Sequence, residues 1–178
     1  MSELKCISKI LGFKDVLRIQ SFDLNERDGV LHLFVKPNGN GCRCPKCGYR
    51  GKIIDSSSRT SRQWSDLNCC GSKIVLHYKP KEIRCRTHGR VQEAIPWAAP
   101  NETVTYRFEF QMLKLCATMP QKQAAEILKI SPSTLSGVLH RSIKRHRSGH
   151  RITGLKRIGI DEISYKRGHK YLTIVYDL

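Results

Sequence analysis

Residues 120–141 read PQKQAAEILKISPSTLSGVLHR, and the fold turns on how this stretch divides. Pro120 suits the first turn of a helix, where its missing N–H costs nothing. Gln121 to Leu128 then carries Ala124-Ala125 and Ile127-Leu128, and the small alanines let a second helix cross closely. Lys129-Ile130 fills a turn, with Ile130 expected to be buried. Ser131-Pro132-Ser133-Thr134 opens a new helix, Ser131 capping it and Pro132 taking the first helical position. Two helices joined by so short a turn make a helix-turn-helix.

In the second helix Leu135, Val138 and Leu139 are expected to face the core. Ser133, Thr134, Ser136, His140 and Arg141 then point outward, where a recognition helix meets base edges and phosphates. Lys144, Arg145 and Arg147 extend the basic stretch. An ordinary helical hairpin with a solvated face has the same periodicity, but the short turn and local positive charge favour DNA binding.

Upstream, Phe108, Met112, Leu115 and Met119 recur at helical spacing. Ile95-Pro96-Trp97-Ala98-Ala99-Pro100 reads as a linker, because proline disfavours helix around it. Downstream, Arg141 to Arg157, with Gly149 and Gly154, reads as an exposed basic connector.

Before the linker the chain is rich in strands. Val16–Asn25 and Val30–Lys36 flank Glu26-Arg27-Asp28-Gly29, whose Asp-Gly favours a hairpin turn. Leu31, Leu33 and Val35 share one face, as in a half-buried strand. Pro37 to Gly41 forces a loop, and Lys52–Asp55, Lys73–Tyr78 and Glu82–Cys85 read as further short strands. Residues 1–90 are thus expected to form a small β-rich unit with little core of its own.

Two cysteine-containing pairs punctuate this unit: Cys44-Pro45-Lys46-Cys47-Gly48 and Cys85-Arg86-Thr87-His88-Gly89. Each leaves two residues between ligands, which lets both side chains converge on one tetrahedral ion, and the following glycine relieves backbone crowding. Thiolate and imidazole at this spacing suit structural Zn²⁺, with all four positions closed to substrate. A region with so small an apolar core also gains stability from a metal. Cys42, in Cys42-Arg43-Cys44, is an alternative ligand to Cys44, although spacing favours Cys44 with Cys47. Cys6, Cys69, Cys70 and Cys116 read as buried or idle thiols.

The 178 residues carry 32 Lys and Arg against 15 Asp and Glu, a net charge of +17. The excess is concentrated in residues 41–100, with twelve basic against four acidic residues, and in 101–150, with eight against three. Such a surface attracts polyanions, because each neutralised phosphate releases condensed counterions; nucleic acid is the expected partner. No apolar run approaches the ~20 residues of a membrane span. Glu3, Lys5, Lys9 and Lys14 interrupt the N-terminal apolar residues, so no secretory signal is read there. A cytoplasmic location is expected, where eight cysteines suit metal ligation and buried thiols better than disulfides.

The chain closes on Arg157-Ile158-Gly159-Ile160-Asp161-Glu162-Ile163-Ser164-Tyr165, a β-branched strand holding a carboxylate pair. Lys166 to His169 is read as the turn and Lys170 to Leu178 as the return strand. A turn centred near Arg167 sets Asp161 opposite Thr173 and Asp177 opposite Arg157, with Asp177 and Asp161 about 13 Å apart. Glu162 points to the other face. These acids do not converge on a pair of metal ions, which requires carboxylates from several strands. An isolated hairpin is also poorly stable, so residues 155–178 are expected to be mobile or paired with another chain.

Three blocks in this order resemble the insertion-sequence transposases of the IS-L-three family: the Cys44/Cys47 and Cys85/His88 pairs, the helix-turn-helix, and Gly159-Ile160-Asp161-Glu162 followed by Gly168-His169-Lys170-Tyr171. The resemblance spans nearly the whole chain. It implies a zinc-binding N-terminal domain, recognition of the terminal inverted repeats of a transposon, and an RNase H-like domain with an Asp-Asp-Glu triad. Asp161 matches the first Asp of that triad, which in a complete relative would help hold Mg²⁺. The second Asp and the Glu have no counterparts here.

The expected architecture is therefore α+β. A β-rich zinc-binding domain occupies 1–95, a helical DNA-binding region 101–150, and the first β-hairpin of an incomplete RNase H-like domain 155–178. The expected function is that of a truncated transposase that binds DNA but does not cleave or transfer strands alone, with a homodimer or a full-length transposase as a further partner. A repressor or competitor of transposition, or one half of a split transposase, are the alternatives.

Overall fold

The computed structural model describes residues 3–13, 15–39, 42–55, 60–147, 154, 156–166 and 170–177. Within it the chain forms two units, residues 1–141 and 142–178. Among the described residues no helix is long and apolar enough to cross a membrane.

The first unit opens with helix α1 (Glu3–Ile10), followed by strands β1 (Leu17–Asn25), β2 (Val30–Pro37), β3 (Lys52–Asp55), β4 (Arg62–Cys69), β5 (Ser72–Tyr78), β6 (Glu82–Cys85) and β7 (Gly89–Gln92). Strands β1, β2, β5 and β4 build a four-stranded sheet in that order, with β2 and β5 parallel and the other pairs antiparallel. Strands β3, β6 and β7 form a separate antiparallel sheet.

Alternation decides which face of the larger sheet is covered. Leu33 and Val35 on β2, Ile74 and Leu76 on β5, and Trp64 on β4 are all buried. Leu17, Ile19, Phe13 and Tyr78 join them, and Leu4, Ile7 and Leu11, spaced along and just beyond α1, pack on the cluster. The β-rich region therefore has a core of its own, contrary to the expectation from sequence. That core is hidden in the sequence because it is assembled from strands each contributing only one to three buried apolar side chains.

The Ile95–Pro100 segment, expected to be a linker, is instead packed into this core. Trp97 is 4% exposed and meets Trp64 edge-on at 5.7 Å between ring centroids, and Tyr78 at 5.5 Å. Ala98 and Ala99 are buried beside it. The prolines do exclude helix; they do not keep the segment in solvent.

Helices α2 (Tyr106–Cys116), α3 (Gln121–Leu128) and α4 (Pro132–Arg147) follow. Thr105 caps α2 by accepting from the Phe108 amide. Phe108 and Met112 of α2, Ala124, Ala125 and Leu128 of α3, and Leu135, Val138 and Leu139 of α4 form one apolar cluster. Arg141 to Arg147, expected in an exposed connector, instead continues α4; residues 148–153 lie outside the described residues.

Two buried carboxylates fasten these helices to the β-rich part. Asp66, inward-facing on β4, accepts from Thr105 Oγ1 at 2.6 Å and from Arg107 Nε at 2.7 Å, with Arg107 Nη2 also pairing to it. The Arg107 guanidinium lies over the Phe13 ring and donates to the Leu11 carbonyl. Glu102, in the segment before α2, pairs with Arg141 on α4.

In the second unit, β8 (Ile158–Lys166) and β9 (Lys170–Asp177) pair antiparallel. Asp161 lies opposite Ile174 and Asp177 opposite Ile158, one residue away from the expected register, with an irregularity between Ser164 and Lys166. The expected turn residues Arg167 to His169 lie outside the described residues.

Candidate metal centre and nucleic-acid interface

Both ligand pairs sit on tight turns beside the smaller sheet. The first turn is closed by the Cys44 amide donating to the Tyr49 carbonyl at 2.8 Å and the Gly48 amide donating to the Cys44 carbonyl at 2.9 Å. The second joins β6 to β7, with Cys85 opposite Gly89. Gly48 and Gly89, each one residue past the second ligand, have φ of +71° and +66°, a region that glycine enters without steric penalty.

These turns bring Cys44, Cys47, Cys85 and His88 together, with all four ligand atoms within 4.8 Å of one another. Cys47 Sγ lies 3.5 Å from Cys85 Sγ, and His88 Nδ1 lies 3.6 Å from Cys44 Sγ and 3.7 Å from Cys85 Sγ. A tetrahedral ion with bonds of about 2.3 Å to sulfur and 2.0–2.1 Å to nitrogen requires ligand–ligand separations of roughly 3.5–3.8 Å. The cluster thus has the size and donor set to hold a metal ion, and both are compatible with zinc.

Electrostatics favours the ligating form at Cys44. Burial by itself would raise this thiol, but the Lys46 and Cys47 amides and the neighbouring Cys47 and Cys85 thiols hold the sulfur as thiolate, bringing it down to about 6. Cys42 is engaged differently. Its amide donates to Glu93 Oε2 at 3.0 Å, and burial, then the Glu93 charge, push its thiol up.

Glu93 joins this arm to the larger sheet. It is 3% exposed, and its Oε1 accepts from Tyr78 Oη at 2.6 Å and from the Lys81 amide at 2.7 Å. Burial, together with the bond to Glu93, pushes the Tyr78 phenol far above its ordinary range. Among the other cysteines, Cys69 and Cys70 lie at the β4–β5 turn with their sulfurs 3.6 Å apart, Cys70 exposed and Cys69 half-buried. Cys6 and Cys116 are half-buried.

The helix pair has local geometry that its residues explain. Helix α3 ends at Lys129, whose left-handed backbone (φ 54°, ψ 41°) turns the chain, and the Ile130 amide then donates to the Ala125 carbonyl. Ile130 is half-buried. Ser131 Oγ accepts from the Thr134 amide at 3.1 Å, an N-cap that starts α4.

With Leu135, Val138 and Leu139 turned inward, Ser133, Thr134, Ser136 and His140 are exposed on α4. Lys144 is exposed and Arg145 half-buried farther along the same helix. Arg141, expected to lie outward, is exposed and is also ion-paired. Its Nε and Nη2 are taken up by Glu102, at 2.9 Å to Oε1 and 3.0 Å to Oε2. The turn itself is pinned from the sheet side: Lys129 Nζ donates to the Gly71 carbonyl at 2.8 Å, and Asn68 Nδ2 donates to the Leu128 carbonyl at 3.0 Å.

Asp161 is exposed on β8, and its Oδ1 accepts from the Glu162 amide at 2.8 Å. Glu162, the next residue along the strand, is also exposed.

Sequence reasoning does not single out Asp66, Glu93 or Glu102. In a chain this basic, an acid placed beside inward-facing aromatics, as Asp66 is two residues after Trp64, is the available signal.

Comparison with known proteins adds an independent line. Residues 93–143 match the model for the helix-turn-helix domain of transposase family ISL3. Over 136 residues the chain is 33% identical to the transposase for insertion sequence element IS1557 from two strains of Mycobacterium tuberculosis, CDC 1551 / Oshkosh and ATCC 25618 / H37Rv. The alignment covers 76% of this chain and 30% of that transposase. No solved structure gives a significant match.

Proposed function

Starting from a chain related in sequence to the ISL3-family transposases, we propose that this polypeptide recognises the ends of a transposon through its helix-turn-helix. The observation that carries this reading is the exposed polar face of α4, with Ser133, Thr134, Ser136 and His140 projecting from a helix whose other face is locked into the core. Such a helix can enter the major groove while its inward leucines hold its angle. Lys144 and Arg145 extend the interaction toward phosphates.

The Cys44/Cys47/Cys85/His88 cluster holds Zn²⁺ in this reading. Four protein ligands close the coordination sphere, so the ion is structural and clamps two turns that share few apolar side chains. The helix pair and the β-rich part act as one DNA-binding platform, because Asn68 and Lys129 tie α3 and its turn to β4 and the β4–β5 turn, and Glu102 holds α4.

The β8–β9 hairpin supports a further part of the proposal. Ile160 and Val175 lie opposite one another and are 64% and 58% exposed. Apolar pairs of this kind suit a sheet that continues, as an RNase H-like domain would supply. There Asp161 would be one carboxylate of a Mg²⁺ site that polarises a phosphodiester. Asp161 and Glu162 occupy adjacent strand positions and so point to opposite faces, and Asp177 pairs with Ile158, three residues along the strand from Asp161. We therefore assign DNA recognition, rather than strand cleavage, to this chain by itself. The matched transposases are about three times its aligned span, with 30% of their length covered.

The test is a gel shift with duplexes bearing the element's terminal inverted repeats against scrambled duplexes of equal length. Preferential binding of the repeats, reduced toward the scrambled level in a Ser133→Ala/His140→Ala variant, supports the proposal. Equal affinity for both duplexes overturns it.

A further inference from the structure

The helix-turn-helix carries only part of the positive charge; residues 41–100 hold twelve basic against four acidic residues. The smaller sheet shows where some of that charge is organised. Lys52 on β3 lies directly opposite Arg84 on β6, and Arg84 directly opposite Arg90 on β7. All three are exposed, and cross-strand partners share a face. They form a row across the sheet, with neighbouring side chains starting only about 5 Å apart.

Like charges placed directly opposite each other destabilise a sheet. Glu82 offsets part of this, its Oε1 lying 2.8 Å from Arg90 Nε. Arg86, on the adjoining metal-site turn, adds a fourth cation, its guanidinium 5.3 Å from the centre of the Tyr49 ring. Stacking on an aromatic holds a guanidinium plane in place while leaving its edge N–H groups available. Lys52, Arg84, Arg86, Arg90 and Tyr49 all line one open groove of about 630 Å³.

We propose that this groove is a second DNA-binding surface, which grips the phosphodiester backbone of duplex DNA while the helix-turn-helix reads sequence. The inference rests on the DNA-binding reading above and extends it to a separate face of the molecule. Charge complementarity selects the occupant. Three strands spaced about 4.8 Å apart set the row at roughly 10 Å across. A duplex strand advances 3.4 Å along the axis per phosphate but sets consecutive phosphates about 6–7 Å apart in space, so the row spans about two of them. Lys52 and Arg84 can meet these, and Arg90 joins when it exchanges Glu82 for phosphate. The metal-site turns fix Arg86 and the β6–β7 corner, so the arrangement exists before DNA arrives.

Phosphate interactions of this class position a protein without reading bases, which separates them from α4 in an experiment. The zinc-loaded full chain is titrated with a 30-base-pair duplex of random sequence over a range of salt. The Lys52→Ala/Arg84→Ala/Arg90→Ala variant is expected to bind about tenfold or more weakly. Its slope of log affinity against log salt should be shallower by roughly 2, at about 0.9 for each phosphate no longer neutralised. Its preference for inverted-repeat over scrambled duplex stays as in the unaltered chain.

A variant with native circular dichroism and zinc content but unchanged affinity and slope overturns the proposal. Should the triple variant misfold, acetylation of Lys52 in the unaltered protein decides instead: slowing by added duplex supports the groove, and an unchanged rate overturns it. Salt-sensitive binding through these residues to single-stranded RNA or anionic vesicles, with none to duplex, also overturns it. Failure of the helix-turn-helix reading has a different signature, a repeat-to-scrambled affinity ratio of one with the salt slope intact.

Discussion

Arg141 on α4 makes a two-pronged ion pair with Glu102, whose side chain is 2% exposed, at 2.9 Å from Nε to Oε1 and 3.0 Å from Nη2 to Oε2. Truncating the arginine removes its charge-assisted hydrogen bonds from a buried carboxylate. Because the guanidinium is itself 51% exposed, the cost falls below that of a fully buried pair. Arg141→Ala is expected to lose about 2 kcal/mol, seen as a drop in Tm of about 4–8 °C. Glu102→Gln/Arg141→Leu should lose less than the two single variants combined, as a double-mutant cycle in denaturant would measure. An Arg141→Ala chain of unchanged Tm would exclude the ion pair as a fastening.

Removal of the metal should act on the smaller sheet first. Its core among the described residues is slight, with Ile83, Cys44 and Cys85 buried. Elemental analysis is expected to give one zinc per chain, and Cys44→Ser/Cys47→Ser to retain less than a tenth of it. Amide exchange should then rise across β3, β6 and β7, while β2 and β5 remain protected.

The cap of α4 gives a smaller, local effect. Ser131→Ala removes the acceptor of the Thr134 amide and is expected to cost about 1 kcal/mol. Ser131→Asp should recover most of this, as thermal unfolding would show.

His77 brings a pH dependence. Burial, and next the neighbouring His32, hold its imidazole below the ordinary 6.5; Nδ1 of His32 lies 2.9 Å from its Nε2, and Phe34 stacks on its ring. As pH falls through 6.5 the unfolded chain takes up this proton before the folded one does. Stability is therefore complete above that pH and is lost on acidification down toward the lowered folded value. Denaturant midpoints at about pH 5.5 and pH 7.5 should differ less in His77→Gln than in the unaltered protein.

Asp161→Asn is expected to leave duplex affinity unchanged to within about twofold, since the proposed DNA-binding residues lie on α4 and the smaller sheet. A Mg²⁺-dependent nicking activity in the unaltered chain that disappears in this variant would overturn the assignment of recognition without cleavage.

Sequence legibility followed how local each determinant was. The Ser131-Pro132 start, the inward set Leu135, Val138 and Leu139, and the strands around Asp28-Gly29 rest on interactions a few residues apart, and the structure shows them where expected. The meeting of the two ligand pairs was readable from spacing alone. Strand β4 was not, because its inward positions are Trp64 and Asp66, an aromatic followed by an acid rather than an apolar alternation. The burial of Trp97 depends on Trp64 and Tyr78, far away in the chain. Arg141 was legible as an outward-facing cation, but its partner lies 39 residues earlier. The hairpin register differs by one because Lys166 pairs with Lys170, two residues from the expected register, and the irregularity between Ser164 and Lys166 takes back one of them.

Lys129 stands in a backbone conformation that a glycine would occupy more cheaply, yet its ammonium reaches across to the Gly71 carbonyl. The bend between the two helices is thereby referenced to a distant hairpin as well as set by its own residues. An excised α3–α4 peptide would keep its outline but lose its bearing, and a chimera carrying that pair on a foreign scaffold would approach the groove at a different pitch.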